Sequence, residues 1–380
     1  MEFGWSDHEE AFRSRVEEAL ARCLPPDWSR SATSVGGSQA SPESNAVARA
    51  LAADGLLVCS WPPEFGGEGA SRWEQLILAE VMWRHGEPRG PQYMNVNWIG
   101  PAIMQFGTEE QKRELLLPMA RGGVIWCQGF SEPDAGSDLA ALRTRADRDG
   151  DDYVINGQKI WTSYAGDAQY CFLLARTDPE AARRRGISVL VVPMDTPGVE
   201  VRRIPSLVGG HAFHQVDFVD ARVPTSVRLG EENEGWTIVR SALANERVGL
   251  PRYIRASLVL DGVAGWARER GLLTETWVQA RLGEARAACE AARLLVYRAA
   301  DDQAKGRGAS AFAYVARVAV VDAERAVADA SVDVMGAHGL VLGSLADGQM
   351  RNSMGGGIAS GTYEVQLNLI ASELLGLPRG

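Results

Sequence analysis

The spacing of apolar residues changes twice along the chain, and this limits the possible folds more than any single motif does. In the first 120 or so residues the spacing is helical. Phe12, Val16, Ala19 and Leu20 recur three and four apart, and helical patterns resume over Asn45–Asp54 and Ser71–Arg84. Ser71 with Glu74, and Thr108 with Gln111 ahead of Leu115–Leu117, are capping-box pairs that mark helix starts. Trp61-Pro62-Pro63-Glu64-Phe65-Gly66-Gly67 must be loop, because clustered prolines and glycines forbid regular structure. The Gly/Ser-rich stretch 29–42 reads as a second loop.

From Val124 to Val227 short apolar runs alternate with turn signals. Asp149-Gly150 and Asn156-Gly157 flank Tyr153-Val154-Ile155, and further runs follow at Lys159–Ser163, Tyr170–Ala175, Ile187–Val192, Val199–Ile204 and Val216–Val219. Short strands without helices between them predict an antiparallel barrel or sandwich. Asp178–Arg185 reads as an exposed loop or helical turn between strands. From Gly235 the helical period returns over Gly235–Arg270, Thr274–Lys305, Ser310–Met335 and Thr362–Leu375, with Ser310 a plausible N-cap. Such long Ala- and Val-rich helices must pack against several neighbours. The order is α, then β, then α.

Several functions are disfavoured at once. The formal charge is −10 with no basic block, which makes a poor nucleic-acid binder. Of 39 basic residues only Lys112, Lys159 and Lys305 are lysines, and arginine suits bidentate phosphate or carboxylate recognition. No run of apolar residues is long enough to cross a membrane. The first 24 residues carry acids and bases in a helical pattern instead of an apolar signal core. Cys23, Cys59, Cys127, Cys171 and Cys289 contain no CxxC pair, so neither a disulfide framework nor a zinc knuckle is implied. These features predict a cytoplasmic protein. P-loop, GxGxxG and GxSxG motifs are absent. His211 and His214 sit among glycines without a nearby acid and make a poor metal site.

Two polar segments remain. Trp126–Asp138 combines a strand-like start with a tight loop in which Gly129 and Gly136 allow close backbone approach, and Ser131 and Ser137 offer hydroxyls. A hydrogen-bonded turn into a strand is the plain alternative. In Asn156–Ser163, Trp161 and Ser163 would share one face of a strand, as a stacking ring and a donor suited to a planar cofactor. A core tryptophan beside a surface serine is the alternative.

Taken together, EPDAGSD (Glu132–Asp138) and NGQKIWTS (Asn156–Ser163) resemble the flavin-proximal signatures of acyl-CoA dehydrogenases. WPPEFGG (Trp61–Gly67), FGTEEQK (Phe106–Lys112), LANER (Leu243–Arg247), MGAHG (Met335–Gly339) and GTYEVQ (Gly361–Gln366) follow the family's order over nearly the whole chain. The resemblance implies an α+β protein with an N-terminal helical domain (1–122), a central antiparallel β-barrel (123–228) and a C-terminal four-helix bundle (229–380). FAD would lie between barrel and bundle.

By the same resemblance, Phe130 and Ser131 would face the flavin pyrimidine edge, Trp161 would pack on the isoalloxazine and Ser163 would reach N5. Ser137 would contact the CoA thioester arm, and Thr362 and Glu364 the ribityl or adenosine part of FAD. Gly336, Ala337 and Gly339 would admit a neighbouring subunit's FAD, with Arg268 or Arg270 on its pyrophosphate. The family's R-x-x-F-G signature there lacks its phenylalanine. Asp134 replaces the more usual glycine of EPGAGSD.

Dehydrogenation needs a base for the α-proton. Most members place a glutamate directly before the C-terminal Gly-Thr, but Ser360 stands there, before Gly361, where its N–H would hold the thioester carbonyl. A minority carry the base on a bundle helix in a pattern like L-x-x-E-R, which makes Glu246 the candidate base and sets Arg247 beside the acyl-CoA. Glu246 pairing with a nearby arginine is the alternative. The implied substrate is a branched, cyclic or steroid-side-chain acyl-CoA, or an acyl-carrier-protein thioester. The implied electron acceptor is an electron-transfer flavoprotein, and the implied assembly a homodimer, a homotetramer or a heteromer with a related chain. A flavin monooxygenase or oxidase of the same fold, and an inactive partner subunit, are the competing readings.

Overall fold

The computed structural model describes residues 4–28, 40–208, 213–248, 251–307 and 311–378, and for 243–248 the course of the helix without its side chains. The N-terminal helices are α1 (Asp7–Cys23), α2 (Pro42–Ala53), α3 (Arg72–Arg84), α4 (Gly100–Phe106) and α5 (Glu109–Ala120). Ser71 and Thr108 cap α3 and α5 with both capping-box bonds in place. A third box, formed by Ser41 and Ser44, starts α2 three residues earlier than the Asn45 expected from apolar spacing. Within Trp61–Gly67 the loop makes one 3-10 turn, Pro63–Phe65.

The central region is one sheet of eight strands: β1 (Trp126–Gly129), β2 (Arg145–Asp149), β3 (Asp152–Ser163), β4 (Tyr170–Arg176), β5 (Ile187–Pro193), β6 (Val199–Ile204), β7 (Phe213–Pro224) and β8 (Arg228–Leu229). The strand order is β6-β7-β3-β2-β4-β5-β8, mostly antiparallel, with β1 pairing parallel to β4. Cys127, Ala146, Tyr153, Ile155, Leu173, Leu190, Val216 and Phe218 form a buried cluster drawn from six strands, so the sheet curls around an interior of its own. Asn156-Gly157, read as a turn, instead lies inside β3 as a register shift against β7. Tyr153–Ile155 and Lys159–Ser163 are therefore a single strand.

The C-terminal helices are α6 (Gly235–Val248), α7 (Tyr253–Glu269), α8 (Thr276–Ala304), α9 (Phe312–Met335), α10 (Leu345–Gly356) and α11 (Tyr363–Leu369), the last running into a π-turn at Ile370–Leu374. The single helix expected over Gly235–Arg270 is two, because Pro251 lacks the N–H and the ring space that a continuous helix needs. Ser310 lies outside the described residues. The sheet's other face packs with α6 and the N-terminal helices in one core, through Phe172, Leu174 and Val189 against Ile238, Val96 and Ile99 among others. Leu76 of α3 belongs to the bundle core instead, so α3 joins the helical domain to the bundle. Among the described residues no helix is long and apolar enough to cross a membrane.

Candidate active site

The two polar segments meet. Phe130 and Ser131 follow directly from β1, and Phe130 is buried with its ring centroid 5.9 Å from that of Phe172. Beyond them Glu132 and Ala135 exchange backbone hydrogen bonds of 3.0 and 3.1 Å, which closes a tight Pro133-Asp134 turn. Asp134 is not in the left-handed region, so its position does not need glycine. Its carboxylate stands in solvent 3.8 Å from Arg143.

Lys159 of β3 is fully buried, and its Nζ donates to Glu132 Oε1 at 2.8 Å and to the Phe130 carbonyl at 3.1 Å. The Glu132 carboxylate also accepts the N–H groups of Arg143 (2.6 Å) and Thr144 (2.9 Å). The Ile160 N–H donates to the Ser131 carbonyl at 2.9 Å. Burial opposes ionisation of Glu132, but Lys159 and the donors of Thr144 and Arg143 prevail and hold its carboxyl below the usual range. Burial pulls the Lys159 ammonium below its ordinary value despite Glu132.

Just past this anchor β3 bulges. Register shifts between Lys159 and Thr162, and Trp161 takes a left-handed φ of +58°. Thr162 turns inward and is buried, Ser163 is half-buried, and the Trp161 ring is 57% exposed, edge-on to Phe213 at 6.2 Å. The bulge therefore replaces the regular alternation expected for Trp161 and Ser163. A tryptophan held open by strained backbone at the edge of a tight loop is a platform for a flat ligand. That is the observation by which these residues fit a flavin. Ser137 is exposed on the continuation of the loop, next to Asp138, which accepts from Arg183 at 2.7 Å.

The C-terminal loop carries the next group of expected residues. Ser360 (φ +59°) and Gly361 (φ +86°) turn the chain sharply between α10 and α11. The buried Gln366 donates from Nε2 to both of their carbonyls at 3.3 Å. A Cβ on Gly361 would stand 2.5 Å from that nitrogen, so glycine is required on two counts. Thr362 is the N-cap of α11, accepting from the Val365 N–H, and Glu364 is exposed in its first turn. Glu246 and Arg247 lie on α6, which packs against the Asn95–Ile99 turn, β5 and α9; their side chains lie outside the described residues. His211 is also outside them, while His214 is buried in β7 beside Gly166.

The remaining expected residues form a second group. Arg270 lies over the Trp266 ring at 4.2 Å, and Trp266 meets His338 at 5.6 Å, which joins the end of α7 to the Gly336–Leu340 turn. Arg268, Gly336 and Ala337 are exposed, and nothing lies within 4 Å of a Cβ built on Gly336. Gly339 differs. It is buried, and a Cβ built on it would stand 3.1 Å from Ala346 Cβ, so it serves internal packing.

Sequence reasoning missed the Glu132–Lys159 anchor and a buried trio in the bundle. Glu324 of α9, fully buried, accepts from Arg252 Nε (3.0 Å) and Nη2 (2.7 Å) and from Arg255 Nη2 (3.0 Å). An acidic residue in an Ala/Val-rich helix facing two arginines one turn apart was the available signal.

Models of three protein-family domains match the chain in order: acyl-CoA dehydrogenase N-terminal domain (6–123), middle domain (127–221) and C-terminal domain (233–375). The acyl-CoA dehydrogenase FadE26 of Mycobacterium tuberculosis is 34% identical over all of this chain and 99% of its own. Among solved structures, the Tcur3481-Tcur3483 steroid ACAD superposes with a TM-score of 0.91 at 32% identity, covering 100% of both chains. The ChsE4-ChsE5 complex from Mycobacterium tuberculosis gives 0.89 at 34% identity, again over 100% of both chains.

Proposed function

The chain belongs to the acyl-CoA dehydrogenase family, and from that membership we propose a flavoenzyme that holds FAD against Trp161 and uses Glu246 as its base. It is an oxidoreductase of acyl-CoA thioesters, introducing a double bond between the α- and β-carbons. FAD, when bound, supplies the acceptor for the β-hydride. The chain's own work is to polarise the thioester, remove the α-proton and keep water from both.

The Phe130-Ser131 backbone and the Ser163 hydroxyl are the donors toward the flavin ring. The Glu132–Lys159 pair holds that backbone still. Donors fixed before charge develops need no reorganisation during the reaction. Ser360 and Gly361, rigid through Gln366, receive the thioester carbonyl, with Ser137 and Arg247 along the CoA arm. Ser360 cannot take up a proton unaided, so the base falls to Glu246 on α6. Thr362 and Glu364 face the ribityl or adenosine part.

Arg268, Arg270, Gly336 and Ala337 form the half-site for a neighbouring subunit's FAD. Beside this half-site Leu340 is 76% and Leu342 79% exposed, which supports a covering subunit, either a copy or a related chain. The likeness to the steroid ACAD supports a bulky, branched or cyclic acyl group. Trp161, open and strained beside the anchored loop, carries the reading. The test is anaerobic loss of the visible flavin band on adding acyl-CoA without NAD(P)H. Bleaching by wild type and its loss in Glu246→Gln are expected; a Glu246→Gln protein that bleaches at the normal rate overturns the base assignment.

A further inference from the structure

The loop between β4 and β5 carries Arg183-Arg184-Arg185, all three exposed, and the proposed function leaves them unused. The shape of this loop is fixed. Gly186 (φ +82°) closes its neck: a Cβ there would stand 2.3 Å from the Asp178 carbonyl oxygen, and the Gly186 carbonyl accepts the Thr177 N–H at 2.9 Å. The Asp178 carboxylate accepts the N–H groups of Glu180 (3.0 Å) and Ala181 (3.2 Å). Glu180 is then the exposed acid of the loop, against three arginines.

One guanidinium ties this loop to the one that carries Ser137. Arg176, the last residue of β4, donates to the carbonyls of Ala140 (2.9 Å) and Leu142 (3.3 Å) and to those of Arg183 (3.1 Å) and Arg185 (3.4 Å). Arg183 Nη2 adds a bond of 2.7 Å to Asp138, the neighbour of Ser137. Arg184 reaches α6 instead, with its guanidinium carbon 5.3 Å from the centroid of the Trp236 ring in the first turn. Trp236 and Glu246 are ten residues, about 15 Å, apart along that helix. The arginine loop therefore touches both the Ser137 loop and the helix of Glu246, and it does so at the surface. Asp138 answers Arg183, but Arg184 and Arg185 make no ion pair among the described residues. The acids of the neighbouring turn, which is bridged to Ile187, do not supply one. Glu232 accepts from Tyr153 and stands 3.8 Å from Arg228, and Glu234 accepts from Thr237 at 3.5 Å.

We propose that Arg184 and Arg185 bind the 3′-phosphate of CoA at the mouth of the site, so that the enzyme reads the carrier as well as the acyl group and prefers CoA thioesters to those of a carrier protein. This rests on the acyl-CoA reading of the site. With the thioester at the Ser360 loop and the arm along Ser137, the nucleotide is the part of CoA left toward solvent, where the arginine loop stands. Two guanidinium groups without counter-charges on one rim favour a multiply charged anion, and their planar forks match phosphate oxygens in pairs. The 3′-phosphate is the discriminating group, because the phosphopantetheine arm of a carrier protein lacks it.

The test uses the FAD-loaded enzyme. Calorimetry compares CoA with 3′-dephospho-CoA, and anaerobic flavin reduction compares their octanoyl thioesters. Wild type is expected to bind CoA about tenfold more tightly than 3′-dephospho-CoA, with the advantage shrinking as salt rises. The double variant Arg184→Gln, Arg185→Gln should remove most of that advantage, and should raise KM for octanoyl-CoA far more than it lowers the rate at saturation. Arg184→Lys with Arg185→Lys should keep part of the advantage, because the charge stays and the fork is lost. A merely structural loop would weaken both ligands alike and leave their ratio unchanged. The proposal is overturned if wild type shows no preference for CoA, or if the preference survives the glutamine double variant. If CoA is preferred through these arginines but neither thioester reduces the flavin, it is the dehydrogenase reading that fails, and the phosphate subsite stands.

Discussion

Lys159 Nζ and Glu132 Oε1 are 2.8 Å apart in a site where neither side chain reaches solvent to any extent, and the same Nζ holds the carbonyl of Phe130. One ion pair therefore couples the loop proposed to face the flavin edge to the strand that carries Trp161. Isolated buried ion pairs add little net stability, but removing one partner leaves a bare charge. Lys159→Met is accordingly expected to cost about 3–5 kcal/mol in denaturant unfolding and to lower the flavin content of the purified protein. The double variant Lys159→Met, Glu132→Leu should recover much of the stability and little of the flavin, because the Phe130-Ser131 backbone stays loose. Equal recovery of both would remove the positioning role.

Glu132 also sets an acid limit. Its folded carboxyl lies below the ordinary 4.5 because Lys159 and the Thr144 and Arg143 donors outweigh burial. A depressed folded value means that the unfolded chain binds the proton more readily, so stability rises with pH across that interval. The contribution is complete above about 4.5 and is lost as pH falls through the folded value. Glu132→Gln should flatten the acid limb of the stability curve while lowering its plateau. An unchanged limb would show that Glu132 does not govern it.

Trp161 separates stability from cofactor binding. Its left-handed backbone costs of order 1 kcal/mol that glycine would not incur, and its exposed ring contributes little packing to the apoprotein. Trp161→Gly is expected to leave the apoprotein as stable or up to about 1 kcal/mol more stable, and to weaken FAD binding in a fluorescence titration. A clear loss of apoprotein stability would make the ring a structural element instead of a platform.

The periodicity located the three regions, and local chemistry located their caps, because Ser71–Glu74 and Thr108–Gln111 act over three residues. The break before Tyr253 was obscured by apolar spacing that continues across Pro251. α10 was obscured by Gly348, Gly355 and Gly356, which lower its helix propensity, although only at Gly356 does the fold need the space. Asn156-Gly157 has turn chemistry, but β7 pairs on either side of it and turns it into a bulge. The residues proposed to face the flavin are legible as two motifs. The pair that binds those motifs together, 27 residues apart, was not, since neither Glu132 nor Lys159 carries a local sign of its partner.

Ser360 gives a direct test of where the base sits. The position already holds a non-glycine residue at φ +59°, so a glutamate there adds no backbone cost beyond the one serine bears. The Ser360 carbonyl is fixed by Gln366, and its side chain departs from a rigid loop, as positioned proton transfer requires. Glu246→Gln alone should slow flavin reduction about 100-fold or more without abolishing acyl-CoA binding. Adding Ser360→Glu to that variant should restore part of the rate, because a carboxylate returns to the same thioester from the Ser360 loop. Ser360→Glu on its own should slow the reaction, since two carboxylates near one α-carbon repel each other and one takes up a proton. If Glu246→Gln retains the full rate, or if the double variant binds acyl-CoA and recovers nothing, the base is not exchangeable between α6 and the Ser360 loop in this chain.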